Sequence, residues 1–166
     1  TVTGGGLNNG TLLDATGATI NSQGLLANLA SIGPGGPAAS ALVSIQGGST
    51  ASFAQGLTAL SASSLTVNIG APLVVVTGAG SQLTLTSGDL LALRNGSTLV
   101  SLGATQEILS VPVGATVSIS GNLLTLDNTV FPARSAPLFS VTDAPETNTT
   151  VTIGGAVVSL SNASTL

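Results

Sequence analysis

The stretch Leu83-Thr84-Leu85-Thr86-Ser87-Gly88-Asp89-Leu90-Leu91-Ala92-Leu93 decides how the chain is read. An apolar, hydroxylated, apolar triplet runs into a turn containing Gly88, and a tetrapeptide of two apolar residues, a small residue and a further apolar residue follows. Alternation at period two is the mark of a short strand with one buried face, and glycine supplies the backbone freedom of a sharp corner. The unit therefore reads as strand, glycine corner, strand.

Working outward, the unit recurs. Triplets stand at Leu65-Thr66-Val67 before Gly70, at Val117-Ser118-Ile119 before Gly121, and at Val151-Thr152-Ile153 before Gly154-Gly155. Tetrapeptides of the second kind begin at Leu42, Leu73, Leu90, Leu99, Ile108, Leu123, Leu138 and Val157. Core positions taken from this pattern are Val67, Leu85, Leu102, Ile119 and Ile153, at steps of 18, 17, 17 and 34 residues, and the corners are Gly70, Gly88, Gly103, Gly121, Gly154 and Gly155. A fixed period of this size signals a solenoid, and 17 residues is taken as one coil. About ten coils at 4.7–4.9 Å each would give a subunit of roughly 45–50 Å.

The predicted fold is all-β, a parallel β-helix-like solenoid, with an antiparallel β-sandwich as the alternative. Residues 1–166 read as one domain, regular over about 62–130, irregular over 1–61 and decorated by loops over 131–166. Loop excursions are placed at Gly33-Pro34-Gly35-Gly36-Pro37, at Pro132-Ala133-Arg134-Ser135 and around Asp143-Ala144-Pro145-Glu146-Thr147-Asn148. The only helical spacing lies between Gln23 and Ser31, where Leu25, Leu26 and Leu29 suggest a short helix or cap.

Composition removes most chemistry. Only 5% of the 166 residues are charged, where about 25% is usual. There is no His, Cys, Met, Trp, Tyr or Lys, and the net charge is −4. Imidazole and thiolate catalysis, disulfides, zinc sites of the usual type and Schiff bases are thereby excluded. Two arginines, Arg94 and Arg134, make no basic stripe for nucleic acid, and three phenylalanines make no stacking platform. The mean hydropathy is +0.61, yet the longest apolar run, Ala71-Pro72-Leu73-Val74-Val75-Val76, is far short of the roughly 20 residues of a spanning helix. The chain begins at Thr1 with no signal-peptide pattern and is expected to be processed or part of something longer.

Four carboxylates, Asp89, Glu107, Asp127 and Asp143, lie beside apolar strand clusters. Paired carboxylates are the apparatus of glycoside cleavage, and an enzyme acting on polysaccharide through Asp89, Asp127 or Asp143 is one alternative. Solvated corner residues are the favoured reading, with no catalysis, no cofactor and no metal site. Sequons stand at Asn9, Asn95, Asn148 and Asn162 and mark surface positions. Pairs such as Thr84-x-Thr86 and Thr150-x-Thr152 fall at no fixed offset, so the strand propensity of Thr accounts for them better than an ordered-water face does.

Short Gly-cornered strands, Thr and Ser in abundance and no lysine, carried by residues 65–76, 83–93 and 117–126, resemble the β-helical passenger segments of bacterial secreted adhesins, of the autotransporter and filamentous-haemagglutinin type. The resemblance implies an extracellular or cell-surface scaffold and carries over no functional residues. Independently, a solenoid ends in strand edges that lysines or capping elements normally blunt. Here Thr1-Val2-Thr3-Gly4-Gly5-Gly6 looks like Thr150-Val151-Thr152-Ile153-Gly154-Gly155, and neither is guarded by charge. The expected function is a structural subunit of an extracellular fibre or adhesin stalk whose partner is itself, stacked head to tail. The other alternative is a carbohydrate- or surface-binding adhesin module using loops 33–40 and 131–148, with surface glycans as partners.

Overall fold

A computed structural model describes residues 2–3, 13–24, 26–30, 41–67, 72–101, 107–131, 137–144 and 147–166. The strands in chain order are β1 (Val2–Thr3), β2 (Leu13–Thr16), β3 (Thr19–Ser22), β4 (Ala27–Ala30), β5 (Val43–Gln46) and β6 (Thr50–Phe53). Then come β7 (Thr58–Ser61), β8 (Ser64–Val67), β9 (Val74–Val76), β10 (Gln82–Leu85), β11 (Leu91–Arg94) and β12 (Thr98–Ser101). The last six are β13 (Leu109–Pro112), β14 (Thr116–Ile119), β15 (Leu124–Asp127), β16 (Phe139–Thr142), β17 (Thr150–Ile153) and β18 (Val158–Ser161). No helix occurs among the described residues.

Every strand pairing is parallel and joins strands of successive coils, which is a β-solenoid rather than a sandwich of hairpins. Sheet A stacks β1-β4-β7-β11-β15-β18, sheet B β16-β13-β9-β5-β2, sheet C β17-β14-β10-β6-β3, and sheet D β12-β8. A coil visits sheets B, C and A in that order, and sheet D follows where it forms. Among the described residues, the triplets fall on strands and the tetrapeptides on strands or on the residue just before one, and the same ladders run on through β2 to β7.

The coil is twice as long as the 17-residue spacing suggests. Leu85 faces Ile119 and Ile119 faces Ile153, 34 residues on each time. Val67, on β8, belongs to sheet D, whereas Leu85, Ile119 and Ile153 belong to sheet C. The 17-residue step therefore crosses from one face of a coil to another, since two faces of one coil carry the same alternating signature. Fewer coils follow, and a five-strand sheet spans only roughly 20 Å between its outer strands. Leu102, Gly70 and Gly103 lie outside the described residues.

The segment expected to form a helix contains β4, and Leu29 stands in register with Leu60. Pairing to the neighbouring coil satisfies the β4 backbone directly, and a helical turn would break the sheet A ladder there. The likeness between the first and last Thr-Val-Thr segments also divides. Val2–Thr3 lies in sheet A and Thr150–Ile153 in sheet C, so the two are not the same structural element.

The core is a set of stacked columns. Phe53, Leu85 and Ile119 form one column, and Leu60, Leu93 and Leu126 another, all fully buried. Leu57, Leu90 and Leu123 fill the corner between sheets C and A, also buried. That corner turns on a glycine stack. Gly88 adopts φ +78°, and a Cβ placed on it would run into the Gln55 carbonyl of the coil before. A Cβ on Gly121 would in turn run into Gly88, and one on Gly154 would come to 2.8 Å from the Ser120 carbonyl oxygen.

The outward side of sheet C differs from the Thr-x-Thr reading. Thr19, Thr50, Gln82, Thr116 and Thr150 stand in strict register as one column, and Asn21, Ser52, Thr84, Ser118 and Thr152 as the next. The repeated pair on this face includes Gln82-x-Thr84 and Thr116-x-Ser118. The irregular offset arose because Thr86 lies past the end of β10, in the corner.

Candidate functional site

The corners explain where the carboxylates sit. Asp89 stands between sheets C and A, where its Oδ1 accepts the Asn122 backbone N–H at 2.8 Å, and the Arg94 guanidinium lies 3.9 Å from its Oδ2. One coil on, Asn122 Oδ1 accepts the Ala156 N–H at 2.8 Å in the same manner. Asp89 thus does what an uncharged Asn does at the next corner, holding the following coil's backbone. Asp127 ends β15 at the corner that follows sheet A and accepts the Ser161 hydroxyl at 3.0 Å. Glu107, just before β13, accepts the Ser140 hydroxyl at 2.6 Å. Asp143, just after β16, accepts the Thr147 and Thr149 hydroxyls at 3.2 Å each. The four carboxylates occupy four different corners, each engaged with neighbouring chain. Among the described residues no group of three or more His, Cys, Asp or Glu side chains could hold a metal ion.

The sequons are similarly peripheral. Asn95 and Asn162 are exposed and adopt φ +56° and +50° at the corner that follows sheet A, and Asn148 is exposed in the segment before β17. Asn9 and Arg134 lie outside the described residues.

Buried hydroxyls at the corners were not legible as a motif. Ser97 is fully buried, donates to the Arg94 carbonyl at 2.5 Å and accepts the Ser63 N–H of the preceding coil at 3.3 Å. Ser164 repeats this two coils' edge further on, donating to the Ser161 carbonyl and accepting the Thr129 N–H. Ser49 and Ser81 do the same service between sheets B and C, accepting the Ala18 and Gly48 amides at 3.1 Å. The signal in the sequence is a Ser or Thr two or three residues after a strand, as in Arg94-Asn95-Gly96-Ser97 and Asp127-Asn128-Thr129. Ser97→Ala removes the hydroxyl that accepts the Ser63 N–H and is expected to cost about 1 kcal/mol in denaturant unfolding. Ser97→Thr, which installs the residue found at the Thr129 corner, is expected to retain most of that stability.

The remaining surface with a distinctive character is the last coil. The strands β16, β17 and β18 are the outermost of sheets B, C and A, and none contains a charged residue or proline. Their inward positions continue the core columns. Val141 stands over Val111 and Leu160 over Leu126, while Val157 follows Leu123 at the corner. In each pair the inner residue is fully buried, whereas Val141, Val157 and Leu160 are 44%, 41% and 50% exposed. No helix among the described residues is long and apolar enough to cross a membrane. The fold is compatible with β-helical segments in general. No family model, curated protein or solved structure matches the chain.

Proposed function

We propose that the chain is a structural segment of an extracellular fibre or adhesin stalk, of the kind built by bacterial secreted β-helical proteins, and that it lengthens by stacking a further coil on β16, β17 and β18. The observation that carries this reading is the exposure of Val141, Val157 and Leu160 in columns whose inner members are fully buried. A next coil would remove this apolar surface from water and pair three open strand edges. Among the described strands, the edges open at the other end of a second copy are those of β2, β3 and β1, the outermost strands of sheets B, C and A. Such a contact is heterologous and propagates along the axis.

The low charge supports the same reading, because β16, β17 and β18 lack the lysines and other charges that normally prevent edge-to-edge pairing. Sedimentation velocity over a range of concentrations, with electron microscopy of the same samples, tests it. Axial oligomers are expected for the unaltered chain, and the double variant Val141→Lys with Leu160→Lys is expected to remain dispersed. A protein that stays monomeric at high concentration would refute the self-stacking.

A further inference from the structure

Sheet C presents a surface unlike the rest of the molecule. Its two outward columns hold only Thr, Ser, Asn and Gln at every coil, with no charged and no apolar residue among them. Sheet A is interrupted outside by Ala59, Arg94 and Asp127, and sheet B by Val75 and Pro112. The sheet C columns therefore form a two-dimensional net, with steps of 4.7–4.9 Å between coils and roughly 6.6 Å between columns.

The hydroxyls of this net are available. The side chains of Ser52, Thr84, Thr116, Ser118, Thr150 and Thr152 make no hydrogen bond to protein among the described residues. The threonines are β-branched, so the backbone holds each hydroxyl in few rotamers. From β5 to β15 the corners flanking sheet C are short, residues 47–49, 77–81 and 113–115 on one side and 54–57, 86–90 and 120–123 on the other, so no long loop borders the face there.

The occupant is decided by what the face lacks. Sugar rings are usually held by stacking on aromatic side chains, but Phe53 and Phe131 are buried and Phe139 packs against the core. A protein partner needs apolar or arginine anchors, and a polyanion or polycation needs charge. A neutral, rigid, regularly spaced hydroxyl net fits a neutral, regularly spaced hydrogen-bonding lattice. We propose that sheet C binds ordered water, the surface of ice, through the two columns centred on Gln82 and Thr84.

The test is ice-crystal morphology and recrystallisation inhibition with the purified chain. The unaltered protein is expected to facet ice crystals and slow recrystallisation. Thr84→Lys with Ser118→Lys is expected to lose this effect, and Ser44→Lys with Thr142→Lys, the same charge change on sheet B, is expected to keep it, with circular dichroism confirming that each is folded. Should the lysine pair not fold, Thr116→Ala with Thr150→Ala removes hydroxyls at exposed positions and is expected to weaken the effect. Unaltered ice growth with the native chain overturns the proposal, as does equal activity in the sheet C and sheet B variants. Retention on crystalline cellulose or chitin without any effect on ice overturns it in favour of polysaccharide.

Discussion

Replacing Gly88 by Ala is expected to destabilise the protein by about 3 kcal/mol, the largest effect of any single methyl addition proposed for this chain. Two costs combine. The residue sits at φ +78°, where an L side chain is penalised by about 1–2 kcal/mol. The new methyl would also be driven into the Gln55 carbonyl and against the Gly56 amide of the preceding coil, both backbone atoms that cannot rotate away. Relief requires the two coils to separate at this corner, which weakens the pairing of β11 with β7 and of β10 with β6. Gly96 separates the two costs. It has φ +71°, yet a Cβ there would meet nothing within 4 Å. Gly96→Ala is therefore expected to cost only about 1 kcal/mol, the conformational part alone. Urea unfolding of the two variants side by side measures the difference. Equal midpoints would show that the glycine stack imposes no steric demand.

That contrast also marks what could be read in advance. Gly88 and Gly121 were recognisable as corners because each separates two apolar clusters, and the clusters became strands because alternation at period two has one good solution beside a shared core. The coil length was not recognisable in the same way. Leu65-Thr66-Val67 and Leu83-Thr84-Leu85 look alike in sequence and lie in different sheets, since inward and outward alternation says nothing about which face of the coil a strand belongs to. Thr50-Ala51-Ser52-Phe53 and Thr58-Ala59-Leu60-Ser61 match neither cluster because small residues occupy places that Leu or Val holds elsewhere. Register with the neighbouring coils, a long-range property, supplies what their composition does not. The same holds at the surface. The hydroxyl columns of sheet C and the buried Ser97 exist only once residues about 34 apart are stacked, and the carboxylates separate to different corners for the same reason.

Leu126 and Leu160 make the sharpest internal comparison, because they are the same residue in the same column on adjacent coils. Leu126 is fully buried between coils, so Leu126→Ala removes three carbons from a packed core and leaves a cavity whose walls are hydrogen-bonded strands with little room to collapse. The expected loss is about 3 kcal/mol. Leu160 is 50% exposed, and the same truncation in dispersed protein is expected to cost only about 1 kcal/mol, in proportion to the smaller area withdrawn from water. If copies stack as proposed, the missing burial returns in the assembly. Leu160→Ala is then expected to raise the concentration needed for axial oligomers by about tenfold, equivalent to about 1.4 kcal/mol, while the unfolding of the dispersed chain shifts by only that about 1 kcal/mol. Leu126→Ala should do the reverse, lowering stability without a specific effect on stacking at temperatures where it remains folded. Two substitutions of one residue type thereby separate the cohesion of the solenoid from the adhesion of its end. An assembly concentration unmoved by Leu160→Ala would mean that this column takes no part in contact between copies.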